Sequence, residues 1–263
     1  MLNVEINGRP ASVEDVHRMA TWNYGHFTSM QVRDGAVPGL DLHLRRLADA
    51  SRELFTDLVG APAPDDDLVR ELVRQALGGR PDASVRVDVL PAGPTGGTDL
   101  VVSVSDPVPD APRPALRVRT AVHERNLPHL KHAATMGLTH QFLLARRAGF
   151  DDVLFLGRDG LLREGSTWNA AFWDGEQVLW PAAPALPGIT MQLLRAALPA
   201  TGVPSTTRPL TTADLPSLPA AATNSHCPAQ PLAAVDRLAF PHLSAELTEI
   251  LTTAWTRVPW DTL

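Results

Sequence analysis

Cys227 is the only cysteine in this chain of 263 residues, so no internal disulfide can form and a cystine-stapled scaffold is excluded. Long apolar runs are also missing. The most hydrophobic stretches are interrupted by Pro, Arg and Asp well short of a membrane span. Basic charge is scarce as well: Lys+Arg is 23 against Asp+Glu 29, for a formal net charge of −6. With no basic stripe to meet a phosphate backbone, a nucleic-acid partner is not expected. Residues Met1 to Pro10 lack the basic-then-apolar build of a secretory signal. The expected setting is the cytoplasm, with no membrane partner.

Several catalytic signatures are absent too. The 9 histidines are scattered without metal-ligand spacing, and no His-Glu-x-x-His occurs, so no metal site is expected. There is no Gly-x-Ser-x-Gly elbow for serine catalysis, no Gly-x-Gly-x-x-Gly and no Walker loop. The scarcest charged residue is lysine. Of the 23 basic residues, Lys131 is the single lysine and the rest are arginine. Arginine replaces lysine wherever a solvated positive charge suffices. It cannot replace a neutral primary amine that must attack a carbonyl, because guanidinium does not release its proton at usable pH. A coding preference for arginine would explain the composition but not the position of the one survivor.

The chain opens as a small α/β unit. Val4 to Asn7 reads as a strand ending in an Asn7-Gly8 turn, and Phe27 to Val32 as a second strand closed by Asp34-Gly35. A helix is expected from about Asp41 to Leu58, with Asp41 as its N-cap, and another begins at Asp65-Asp66-Asp67. Strands at Val85 to Leu90 and Leu100 to Val104 flank the loop Pro91 to Gly97. Four prolines between Asp106 and Pro114 mark a linker, and the domain boundary is placed there, giving 1–112 and 113–263. The second half starts with a strand at Leu116 to Val122. A helix near Ala133 to Ala148 follows, then hairpins around Gly157 to Gly160 and Asp174-Gly175, and a helix from Met191 to Ala197. Short strands at Ala220 to Ser225 and Leu232 to Leu238 and a last helix from Ser244 to Trp255 complete it.

Lys131 lies in Leu127-Pro128-His129-Leu130-Lys131-His132, between a strand and a helix, where a loop can hold a side chain toward a pocket. Glu164, in Arg163-Glu164-Gly165-Ser166-Thr167-Trp168-Asn169, is a carboxylate able to hold a pyridine nitrogen protonated. Gly188-Ile189-Thr190 precedes a helix, where free N–H groups and a hydroxyl can receive a phosphate. Thr223-Asn224-Ser225 offers further donors. His43 and Arg46 share one helical face at i,i+3, and Arg46 suits a phosphate by its planar fork.

In this order the pieces resemble the class IV aminotransferases, the fold-type IV enzymes of pyridoxal phosphate (PLP), a group that includes branched-chain and D-amino acid aminotransferases and aminodeoxychorismate lyase. The likeness runs from about Asn3 to Asp236. Gly25-His26-Phe27-Thr28 matches the early strand motif, His43-Leu44-Arg45-Arg46-Leu47 the phosphate-arginine motif, and Glu164 with Asn169 the ring-nitrogen motif. Gly188-Ile189-Thr190 matches the phosphate loop and Ser225 the last phosphate hydroxyl.

The resemblance implies an α/β (α+β) fold of two domains: a small N-terminal α/β domain and a larger PLP-binding domain with a mixed, barrel-like sheet. It also implies a homodimer. Lys131 is the implied Schiff-base lysine and catalytic residue, with Arg46, Glu164, Gly188, Ile189, Thr190 and Ser225 as cofactor ligands and Phe27, Thr28 and Met136 near the substrate.

Two positions depart from the pattern. Met136 stands where many transaminases carry a tyrosine, and Pro91-Ala92-Gly93 stands where some members have an arginine for a substrate carboxylate. Arg86, Arg119 and Arg125 are candidates to compensate. The expected activity is transfer of an amino group from an amino acid to a 2-oxo acid. The alternative is a lyase releasing 4-aminobenzoate and pyruvate from aminodeoxychorismate, favoured by Met136 and by Phe27-Thr28-Ser29. A non-catalytic, ligand-binding descendant of the fold is the remaining possibility.

Overall fold

The computed structural model describes residues 3–92, 96–240 and 243–263, and these fall into two compact units. One contains the chain up to Pro109 together with Leu130–Ala134 and Pro259–Leu263; the other contains Asp110–His129 and Thr135–Val258. The tip Gly93-Pro94-Thr95, which includes the glycine beside the missing carboxylate arginine, lies outside the described residues.

In the first unit, β1 (Asn3–Ile6) and β2 (Arg9–Pro10) are joined by Asn7 and Gly8, with φ of 48° and 78°, as a tight hairpin turn requires. Helix α1 (Val13–Thr21) is capped by Ser12, whose hydroxyl accepts from Asp15 N while the Asp15 carboxylate accepts from Ser12 N. Strands β3 (His26–Val32), β4 (Ala36–Pro38), β5 (Ala83–Pro91) and β6 (Thr98–Ser105) follow. They build an antiparallel sheet in the order β2-β1-β6-β5-β3, with β4 paired instead to the C-terminal strand Trp260–Thr262. Helix α2 (Leu40–Ser51) runs through a π-helical turn (Arg52–Thr56) into α3 (Asp57–Val59), and α4 (Asp66–Leu77) is capped by Asp65.

The expected cap at Asp41 is corrected. Gly39, left-handed at φ 66°, precedes α2, and Asp41 already sits in the first turn, paired with Arg45 at 2.5 Å. The carboxylate that receives Leu40 N, at 3.0 Å, comes from Asp261. One face of the sheet packs Val85, Val87, Val89, Met30 and Val32 against Leu44, Leu47, Val69 and Val73 of α2 and α4. On the other face, Ile6, Leu90 and Val101 pack with Met19 of α1.

The second unit is a mixed sheet closed on itself. Strands β7 (Leu116–Val122), β8 (Asp152–Leu156), β9 (Leu162–Gly165), β10 (Asn169–Trp173), β13 (Ala220–Asn224) and β14 (Cys227–Val235) form a six-stranded ring. The pairing of Asn169 with Glu164 closes it. Strands β11 (Val178–Pro181) and β12 (Ser205–Arg208) extend the sheet from β10, and β15 (Leu238–Ala239) pairs with β14. The β7–β8 and β7–β14 pairs are parallel, while β9–β10, β10–β13 and β13–β14 are antiparallel.

Alternation along β10 separates two cores. Ala170 and Phe172 join Val118, Leu154, Leu162, Ala220 and Leu232 inside the ring. Ala171 and Trp173 face outward onto Leu194 of α6 (Ile189–Ala197) and Leu247 and Leu251 of α7 (Leu243–Trp255). Helix α5 (Met136–Arg147) covers β8 through Leu138 and Ala145 against Val153 and Phe155. Among the described residues no helix is long and apolar enough to cross a membrane.

Phe172 is fully buried in the ring. Phe172→Ala is expected to destabilise the protein by about 3–5 kcal/mol, from lost burial plus the cavity left behind. Urea denaturation of the two proteins measures the difference.

Candidate active site

Lys131 belongs to the first unit because its backbone continues the sheet there. Phe27 N donates to Lys131 O at 2.9 Å, Ala133 N donates to Gly25 O at 2.8 Å, and His132 bridges to His26 between them. Gly25 itself lies so close to β5 that a Cβ there would stand 2.8 Å from Val89 O. Two backbone hydrogen bonds, flanking the His26–His132 bridge that they define, fix the place of the lysine stem. Lys131 Nζ stands 4.8 Å from the centre of the Phe27 ring, and the Arg86 guanidinium stacks on the same ring at 3.5 Å while held by Asp88.

Beneath this strand, α2 presents His43 and Arg46. His43 is buried and its Nδ1 shares a hydrogen bond of 2.6 Å with the hydroxyl of Thr28. Burial, then the charges of Arg46 and Lys131, push the imidazole down to about 3, so it is held neutral. Arg46 and Lys131 are thus near enough to act on one ring. Arg45 instead faces solvent beside Asp41. Thr28 is fully buried with its hydroxyl engaged, whereas Phe27 borders the lysine.

In the second unit a row of side chains crosses three strands. Glu164 of β9 pairs with Asn169 of β10, which pairs with Thr223 of β13. Directly opposed residues of antiparallel strands project to one face. Glu164 Oε2 accepts from Leu186 N at 3.1 Å, and Asn169 Nδ2 donates to Leu186 O at 2.8 Å, so both backbone polar groups of Leu186 are clamped. This fixes the loop that ends at Gly188, the residue before α6. A Cβ on Gly188 would collide with Asn169 Oδ1, so only glycine fits there.

The first intrahelical bond of α6 runs from Gln192 N to Gly188 O, which leaves the N–H groups of Ile189, Thr190 and Met191 at the open helix end. Thr190 is buried, and the buried Thr223 hydroxyl has no hydrogen-bond partner among the described residues. Ser225 is half-buried in the turn after β13. Glu164 has a further neighbour: Arg125 Nη1 lies 3.8 Å from its Oε1, with both side chains buried. Met136, the first residue of α5, is 83% exposed.

These groups suit PLP. An open helix end, a glycine without room for a side chain and an orphaned buried hydroxyl fit a phosphate. A buried carboxylate fits a ring nitrogen, and a lone amine fits an aldehyde. Sequence reasoning missed α1, the cap from Asp261 and the place of Arg125. For α1 the signal was present as Ser12-x-x-Asp15; Arg125 gave no periodic cue that would link it to Glu164, 39 residues away.

The family profile of the class IV amino-transferases matches residues 25–235. The chain belongs to the class IV aminotransferases. No curated protein sequence matches it. Among solved structures, the class IV aminotransferase described here is similar to a hypothetical aminotransferase from Mycobacterium tuberculosis. The PLP-bound form of that protein is 24% identical over 97% of this chain and 98% of its own, with a TM-score of 0.80. Its form with α-ketoglutarate and PMP is 25% identical over 90% of each chain, with a TM-score of 0.76. The Escherichia coli branched-chain amino acid aminotransferase is 17% identical over 94% of this chain and 92% of its own, with a TM-score of 0.77. A 4-amino-4-deoxychorismate lyase, so assigned, from Legionella pneumophila is 18% identical over 90% and 92%, with a TM-score of 0.75. The fold is therefore that of PLP-dependent aminotransferases and lyases, and the protein is an enzyme of this group.

The buried imidazoles make a pH prediction. His26, which hydrogen-bonds Ser51, is also held down to about 3 by burial, against 6.5 in the unfolded chain. Between those values the unfolded chain binds more protons than the folded one, so stability falls as pH drops below about 6.5. Each histidine contributes a slope of up to about 1.4 kcal/mol per pH unit. His43→Asn keeps a hydrogen-bond partner for Thr28 and should remove one such slope. Urea unfolding at pH 7 and pH 5 tests this, and an unchanged slope contradicts it.

Proposed function

We propose that this class IV enzyme transfers an amino group from an amino acid to a 2-oxo acid, with Lys131 as the Schiff-base lysine. The observation that carries the reading is the place of the chain's single lysine, fastened beside Phe27 and acting on the same imidazole as Arg46. PLP, when bound, supplies an aldehyde carbon to a substrate amine and a ring that accepts the electrons released at the substrate α-carbon. Arg46 of the first unit would offer its guanidinium to the phosphate, and the backbone N–H groups of Ile189 and Thr190 beside Gly188 and the hydroxyls of Ser225 and Thr223 of the second unit would offer further donors. Glu164 would accept from the protonated ring nitrogen. As a free amine, Lys131 Nζ would take the substrate α-proton and return it, acting as general base and then as general acid. The Phe27 ring, 4.8 Å from Nζ, would favour the amine's position through a cation–π contact. The α-ketoglutarate and PMP bound by the Mycobacterium tuberculosis relative support a 2-oxo acid as amino acceptor.

The same reading includes a cytoplasmic setting and a homodimer. Val122, Leu127, Met136 and Leu143 are exposed large apolar side chains of the second unit, and a second copy of the chain would bury them.

The half-reactions test the proposal. With an amino donor and no acceptor, bound PLP should convert to PMP, and a 2-oxo acid should restore it. Lys131→Arg keeps the positive charge but cannot act as a base at neutral pH. It should lower turnover by at least about a thousandfold, the scale of a lost general base and nucleophile together. Release of 4-aminobenzoate from aminodeoxychorismate without conversion to PMP would replace the transaminase reading with the lyase.

A further inference from the structure

We propose that Arg125 is a positioning residue that holds the Glu164 carboxylate ionised, so that the proton between carboxylate and cofactor stays on the ring nitrogen. The inference rests on the PLP reading above and goes beyond it by giving Glu164 a partner. Arg125 Nη1 lies 3.8 Å from Glu164 Oε1, and the two side chains are only 7% and 9% exposed. The other carboxylate oxygen accepts from Leu186 N, and Asn169 fixes that same residue through its carbonyl. The carboxylate is thus oriented from two sides, by a cation on one oxygen and an N–H on the other.

A carboxylate this far from water is costly to keep charged, and the competing arrangement is a neutral carboxyl facing a neutral ring. In that arrangement the ring is a poorer electron acceptor. Moving the proton onto Glu164 would also cancel the anionic half of the buried pair and remove the attraction that offsets burial of the guanidinium. Leaving the proton on the ring nitrogen keeps the pair intact. Arginine is suited to this task where lysine is less so: although burial lowers its pKa, guanidinium starts so high that it keeps its charge.

The ring nitrogen can be read directly. Holoenzyme reconstituted with PLP carrying nitrogen-15 in the ring gives a chemical shift that separates pyridinium from pyridine, with absorbance confirming that the cofactor is bound. Wild type should show pyridinium. Arg125→Gln should move the resonance most of the way to neutral pyridine with PLP still bound, and Arg125→Lys should restore much of the pyridinium signal. In a Glu164→Gln background the ring should already be neutral, and adding Arg125→Gln should cause no further shift. This second comparison carries no unpaired buried anion and stands even if Arg125→Gln alone does not fold. Persistent pyridinium in Arg125→Gln, a neutral ring in wild type, or a further shift in the Glu164→Gln background overturns the inference while PLP binding stands. A wild-type protein that takes up no labelled PLP overturns the cofactor reading itself.

Discussion

Residues 131 to 133 are fastened to the start of β3 by backbone pairing, and the chemistry proposed for this chain depends on that attachment. A lysine side chain has four rotatable bonds and loses about 2 kcal/mol of rotamer entropy when ordered. A fixed stem limits the search its amine must make. Gly25, whose carbonyl accepts from Ala133 N, lies so close to β5 that a side chain there would meet Val89 O and Leu90. The Phe27 ring stands 4.8 Å from the amine. Phe27 and Gly25 therefore bear on the place of the lysine before any contact with a substrate.

A second constraint operates in the other unit. Closure of the ring between β9 and β10 sets Glu164 opposite Asn169, and the next pairing adds Thr223. The register of three strands thus delivers three polar groups to one face. A one-residue slip would turn them away and bury Phe172 on the wrong side. Packing and chemistry are coupled here, since the alternation that fills the ring with Ala170 and Phe172 also orients Asn169.

Much of this was legible in the sequence. The lone lysine, the glycine turns and the strand-helix order are local signals, and they place the elements within a few residues: the helix expected from Met191 begins at Ile189, and the strand expected from Phe27 begins at His26. What could not be read depends on long-range approach. Asp261 caps a helix that begins 221 residues earlier, and residues 130–134 return to the first unit across what looked like a simple linear boundary. Arg125 was one of three candidates for a substrate carboxylate, and nothing local to it in the sequence pointed to Glu164, beside which the fold sets it. The cap assigned to Asp41 failed because an acidic residue in a first turn and an acidic N-cap look alike in sequence, and Gly39 decides between them through its left-handed backbone.

The amine chemistry has a direct measurement. Reduction of the PLP-loaded protein with borohydride, followed by digestion and peptide mapping, locates the amine bonded to the cofactor. The account predicts one pyridoxyl group per chain, carried by the peptide that contains Lys131. A pyridoxyl group on the chain's α-amino terminus, or none on a protein that retains PLP, would contradict it.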